Sequence, residues 1–292
     1  MALKSEQKYR SWVEVDLDNF ISNLHEIKRL IGPQVDFMQI VKADAYGHGA
    51  IEISNAALKN GARMLGVANA DEGVQLRISG IDAPIIILGP STAAEIDEII
   101  KYKLTPSVSD IFFAMQLQKT LEKSGHKLPV HVEIDTGMGR GGIIYSEALN
   151  LIRKISKLAN IEIEGIFSHL AGSENIIPYN DRQWQLFSGL LDELKKLEIN
   201  IPIRHLGNSG AILNYPEFQM DMVRPGLMTY GIYPSLDKEV KANLAPVMSF
   251  KTSIVLLKDF PKGYGIGYGS TYITNKETRV ATIPVGYGDG YP

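Results

Sequence analysis

Val35-Asp36-Phe37-Met38-Gln39-Ile40-Val41-Lys42-Ala43-Asp44-Ala45-Tyr46-Gly47-His48-Gly49 decides how the rest of this chain is read. Val35 to Ile40 is a short, mostly apolar run that reads as a buried strand, and two glycines close the stretch before a helical segment beginning near Ile51. Lys42 therefore stands at the carboxyl end of a strand. A lysine there can pack its stem and still aim its amine into a cavity, where desolvation favours the neutral, nucleophilic form that a Schiff-base lysine requires. The plainer reading is a surface lysine whose amine reaches water.

Working outward, the same strand-then-helix unit recurs. Strands are expected at Val35 to Ile40, Met64 to Ala68, Pro84 to Leu88, Leu104 to Val108, Val130 to Asp135, Ile161 to Ser168, Ile203 to Leu206 and Met220 to Arg224. Between them lie stripes at helical spacing, such as Ala148, Ile152, Ile155 and Ala159, or Trp184, Phe187, Leu191 and Leu194. Eight units in roughly 200 residues is the size of a (β/α)8 TIM barrel. The structural alternative is a doubly wound open sheet. From about Ala245 the helical period disappears. Val247 to Leu257 and Arg279 to Val285 read as strands around a glycine-rich stretch, the opening of an incomplete all-β C-terminal domain. The expected division is residues 1–244 for the barrel and 245–292 for the partial β domain, with Trp12 to Asp16 available to pair with the latter.

Composition narrows the chemistry. The chain has 292 residues, 45% of them hydrophobic, and a formal net charge of -3. No basic block could neutralise several phosphates, so small molecules are expected as partners rather than nucleic acid. Without cysteine there is no disulfide framework, thiolate zinc site or cysteine nucleophile. No metal is called for. The polar start lacks a secretory core, and no apolar run approaches the roughly 18 residues of a membrane span, so the expected location is cytoplasmic.

A barrel carries its chemistry at the carboxyl ends of its strands, commonly with a phosphate site after strands seven and eight. Asn208-Ser209-Gly210 and Arg224-Pro225-Gly226-Leu227 fall at those loops. Ser209 offers a hydroxyl, and Gly226 lets backbone amides approach an anion. On the fifth strand His131, Glu133 and Asp135 share one face and need partners inside, either structural ion pairs or a functional site. Arg140, just beyond, could supply a planar cationic fork for a carboxylate. Gly137, Gly139 and Gly142 also match GxGxxG, with Glu162 or Glu164 some twenty residues on, which permits a dinucleotide-binding reading.

Several ordered motifs resemble those of alanine racemases. They are Val41-Lys42-Ala43-Asp44-Ala45-Tyr46-Gly47-His48-Gly49, Asp135-Thr136-Gly137-Met138-Gly139-Arg140, Ser168-His169, His205-Leu206-Gly207-Asn208-Ser209, Val223-Arg224-Pro225-Gly226, Tyr268-Gly269 and Gly286-Tyr287-Gly288-Asp289-Gly290. The resemblance implies a pyridoxal 5'-phosphate enzyme interconverting L- and D-alanine and supplying D-alanine for peptidoglycan. Lys42 would hold the cofactor, while Tyr46, Asn208, Ser209, Gly226 and Leu227 would gather around its phosphate. Arg224, steadied by His205, would face the pyridine nitrogen, and Arg140 would bind substrate.

Two bases are implied, Lys42 on the D side and Tyr268 on the L side, with His169 and Arg140 lowering the tyrosine's pKa. Tyr268 would serve the opposite subunit of a homodimer. Glu133 stands where many relatives carry a modified lysine, and is expected to pair with Arg140. Relatives also continue past Pro292, adding a Met-Asp segment at the substrate site and another phosphate-binding tyrosine. The alternatives are a serine or broad-specificity racemase, a decarboxylase of the same fold, disfavoured by the lack of cysteine, and a non-catalytic pyridoxal-phosphate-binding barrel.

Overall fold

Eight parallel strands curve round until the last lies beside the first. The computed structural model describes residues 9–122, 125–175, 177–234 and 242–291. In chain order the strands up to the barrel's end are β1 (Ser11–Val15), β2 (Asp36–Ile40), β3 (Met64–Val67), β4 (Ile85–Pro90), β5 (Thr105–Val108), β6 (Leu128–Asp135), β7 (Ile143–Ile144), β8 (Ile161–Phe167), β9 (Ile203–His205) and β10 (Met222–Val223). The barrel order is β10-β2-β3-β4-β5-β6-β8-β9, every neighbouring pair is parallel, and β7 adds on to β6. An isolated parallel bridge between Asn208 and Arg224 brings the chain beyond β9 against the chain beyond β10. A doubly wound sheet would leave two free edges; here Met222 pairs with Asp36 and Val223 with Phe37, so the ring is nearly closed.

The strands were legible because a parallel strand covered on both faces must be apolar throughout. All four residues of β3 are buried. Met38, Ile40, Met64, Ile86, Ile203 and Met222 form one core cluster, with Tyr46 and Leu88 packed against it, so this part of the barrel is filled by side chains.

The helices follow from stripes and caps. Leu17–Ile31 buries Phe20, Leu24, Ile27 and Ile31 on one face. Asn69 and Asp110 each accept an amide proton from the first turn of the helices Ala70–Ile78 and Ile111–Leu121. The helix Tyr145–Ile155 stops sooner than its sequence stripe: Ala148, Ile152 and Ile155 are buried, but Ala159 lies beyond the helix and is exposed. Among the described residues no helix is long and apolar enough to cross a membrane.

The chain divides into two compact units, residues 17–247 and a second in which the residues up to Asp16 join those from Met248 onward. β1, read from the sequence within 1–244, thus groups with the later strands. In that unit β1 pairs antiparallel with β11 (Met248–Thr252), β12 (Leu256–Phe260) with β15 (Thr278–Thr282), and β13 (Gly265–Ile266) with β14 (Tyr272–Ile273). The single strand expected at Val247 to Leu257 is therefore two. Its amides change partner midway: Ser253 donates to the Arg10 carbonyl at 2.9 Å and Val255 to the Thr282 carbonyl at 2.9 Å.

Candidate active site

Lys42 begins a turn that its own residues disfavour. The Val41 amide still belongs to the sheet, donating to the Gly66 carbonyl at 2.9 Å. The next backbone turns left-handed at Ala43, Asp44, Ala45 and Tyr46, with φ of 52, 52, 54 and 56°. Each such non-glycine residue costs roughly 1–2 kcal/mol, because Cβ crowds the following carbonyl. Hydrogen bonds hold the turn in place. Glu72 accepts the Ala43 amide at 2.8 Å and the Ala68 amide at 2.7 Å, and Asp44 accepts the Ala50 amide at 2.7 Å. The result sets Lys42 and Tyr46 on one cavity. Burial lowers the Lys42 pKa, Arg140 and Arg224 lower it further, and Glu72 opposes them. Burial pushes the Tyr46 hydroxyl up, so it keeps its proton and can donate to an anion.

The cavity measures about 490 Å³, and Lys42, Tyr46, Arg140, His169, Asn208, Ser209, Arg224, Gly226 and Leu227 all border it. On one side Asn208 caps the helix Ser209–Asn214, accepting the Ala211 amide at 3.1 Å. Ser209 Oγ accepts the Gly226 amide at 2.9 Å, tying the loops after β9 and β10 together while leaving its own hydroxyl proton to give. A Cβ on Gly226 would lie 3.0 Å from Tyr46 Oη, so the two approach closely only because residue 226 has no side chain.

Among the described residues, buried Arg224 gives its protons to neutral acceptors. Nη1 donates to His205 Nδ1 and to the His205 carbonyl, both at 2.8 Å. Nη2 donates to the Ser168 carbonyl at 2.8 Å, the Leu206 carbonyl at 3.2 Å and His169 Nδ1 at 3.3 Å. Burial depresses the guanidinium pKa to about 10, which leaves it cationic at neutral pH. His205 stacks on Phe167 with ring centroids 4.7 Å apart, and burial holds it well below the usual histidine range.

This arrangement has counterparts. Residues 15–234 match the alanine racemase N-terminal domain and residues 247–292 the C-terminal domain. The alanine racemase of Halothermothrix orenii is 43% identical over 283 residues, covering 97% of this chain and 75% of that protein. The alanine racemase of Methanococcus maripaludis is 40% identical, with 96% and 76% covered. The solved alanine racemase of Clostridium difficile 630 superposes with a TM-score of 0.93 at 36% identity, over 98% of this chain and 76% of that one. The chain belongs to the alanine racemase family.

Membership makes the chain one of a family of isomerases that use pyridoxal phosphate. One expectation drawn from the sequence is not met. The Glu133–Arg140 ion pair is not formed. Glu133 instead packs on the backbone of Gly141, where a Cβ would come within 2.8 Å of its Oε2. Burial raises its pKa, and Arg224 opposes the rise more than Arg140 does. Burial, then Arg224, Arg140 and Lys42, push the His169 pKa down to about 3, which favours the neutral imidazole. The cationic side chains acting on it are Arg224, Arg140 and Lys42. Tyr268 belongs to the other unit, where it is fully exposed.

The dinucleotide reading of the Gly137 to Gly142 loop fails on its amides. Asp135 accepts those of Gly137 at 2.8 Å and Gly139 at 3.1 Å, so they are turned onto a carboxylate rather than left for a pyrophosphate. Glu164, a candidate ribose ligand in that reading, is engaged by His131 at 3.3 Å. The sequence reading did not single out Glu72, and it weighed Glu164 only as one of two candidate ribose ligands.

Proposed function

We propose that this chain is an alanine racemase that interconverts L- and D-alanine with pyridoxal 5'-phosphate and supplies D-alanine for peptidoglycan. One observation carries the reading: Lys42, Tyr46, Ser209, Arg224 and Gly226 border a single cavity. The donors fit an aldehyde cofactor with a phosphate tail. The Tyr46 and Ser209 hydroxyls, the first amides of the helix Ser209–Asn214 and the Leu227 backbone form an anion cradle, which the missing side chain of Gly226 leaves open. Asn208 holds that helix start in place. When bound, pyridoxal phosphate supplies an electron-withdrawing ring that acidifies the α-proton of an amine joined to it.

The protein's part is orientation and proton movement. Lys42 Nζ, its pKa lowered by burial and two arginines, takes or returns the α-proton on the D side. Tyr268 Oη serves the L side, and its full exposure suits a residue working in the site of a second copy, so the working form is a homodimer. Arg140 binds the substrate carboxylate. Arg224 would hold the ring nitrogen: a guanidinium retains its proton, so it would give a hydrogen bond without protonating the ring, and His205 and His169 hold its plane.

Incubation with L-alanine and pyridoxal phosphate in deuterated water tests the proposal. D-alanine deuterated at the α-carbon is the expected product. A borohydride-reduced protein whose peptide map carries no pyridoxyl group on Lys42 overturns it.

A further inference from the structure

The β6–β8 ladder contains a slip. Leu128 to Val130 pair with Ile161 to Ile163 in step, but the next residue, His131, pairs with Gly165. Glu164 is left over as the extra residue of a β-bulge, a device that re-aims a side chain. Gly165 completes the space, since a Cβ there would overlap the His131 ring. In that gap lies a fully buried imidazole, with Nδ1 2.8 Å from His205 Nε2 and Nε2 3.3 Å from the Glu164 carboxylate. At its far end the chain of contacts reaches Arg224 through His205 Nδ1 at 2.8 Å.

Donor and acceptor roles along this chain have one consistent assignment. An arginine only donates, so His205 Nδ1 carries a lone pair. Neutral His205 then bears its proton on Nε2 and gives it toward His131 Nδ1. His131 in turn bears its proton on Nε2 and gives it to Glu164, which as a carboxylate only accepts. The opposite tautomer of His131 would set two N–H groups against each other, or force His205 to present an N–H to the guanidinium. Burial keeps both rings below the usual histidine range, consistent with neutral imidazoles.

We propose that Glu164 and His131 are positioning residues for Arg224: the carboxylate selects the tautomer of His131, His131 selects that of His205, and His205 thereby keeps its Nδ1 lone pair on the guanidinium. This inference rests on the racemase reading for the purpose of Arg224, though not for its test. The bulge, the bare Gly165 and the chain of buried His131, His205 and Arg224 ending on half-buried Glu164 are otherwise a costly way to fill a barrel wall, since each buried polar group there must be satisfied.

Nitrogen-15 histidine labelling and long-range proton–nitrogen correlation read the tautomers directly, with or without cofactor. The wild type is expected to show His131 and His205 both protonated on Nε2 only, across pH 6 to 8. Glu164→Leu should bring Nδ1-protonated forms into at least one ring and lower kcat about tenfold with less change in KM. Glu164→Gln keeps an oxygen acceptor; it should retain both tautomers, recover most of kcat and shift the His131 Nε2 proton upfield. If the leucine variant does not fold, that upfield shift carries the test. An Nδ1–H signal from either wild-type ring, or an unmoved His131 proton in Glu164→Gln, overturns the relay. Correct wild-type tautomers without racemisation would overturn the proposed function and leave the relay standing.

Discussion

Glu72 Oε1 accepts the amide of Ala43 at 2.8 Å, one residue after Lys42 and at the first left-handed position of the turn that follows. Its other oxygen holds Ala68 just beyond β3, so one carboxylate spans two strand ends of the barrel. Glu72→Ala leaves both amides without this acceptor and releases a strained turn. The expected loss is about 1–3 kcal/mol in urea denaturation, with Glu72→Gln, which keeps one carbonyl oxygen, falling between. Glu72 also raises the Lys42 pKa, so its removal should move the pH midpoint of pyridoxal phosphate uptake downward. An unchanged midpoint would separate Glu72 from the lysine.

Gly226 is tested by one methyl group. A Cβ there meets Tyr46 Oη at 3.0 Å, so Gly226→Ala should push the phenol out of the cradle. Pyridoxal phosphate affinity should fall about tenfold while the melting temperature changes little. Absorbance titration would show this; full affinity in the variant would place the phosphate elsewhere.

Acid should destabilise the fold through its histidines. His169 is held down to about 3, and His131 and His205 also lie below their ordinary value, whereas the unfolded chain protonates near 6.5. The folded state therefore binds fewer protons in that interval. The stabilisation is complete above about pH 6.5 and is lost progressively as pH falls toward 3. Calorimetry should detect proton uptake on unfolding at pH 5, and His169→Asn should reduce it. Equal uptake in both proteins would contradict the assignment.

The proposed sharing of each site between two copies makes a complementation prediction. Lys42→Ala and Tyr268→Phe should each be nearly inactive alone. Co-expressed, they form mixed dimers in which one of the two sites keeps both bases, so up to roughly a quarter of wild-type activity should return. No recovery despite demonstrated mixed dimers would mean that each site uses its own chain's tyrosine.

The sequence by itself determined the barrel and which loop residues would line its cavity. Strands covered on both faces are mostly apolar, and Lys42 and Arg224 stand just after such runs, where a barrel opens its cavity, with Ser209 in the loop after the shorter β9. Only the tertiary structure decided how those residues meet. A left-handed turn over Ala43 to Tyr46 runs against local preference, and its support comes from Glu72, 29 positions from the amide of Ala43. Likewise Glu133 lies against Gly141 rather than pairing with Arg140, and Glu164 reaches His131 through a one-residue slip between strands. Strain, register and side-chain direction are settled by contacts between distant segments, and a linear pattern of residue types does not contain them.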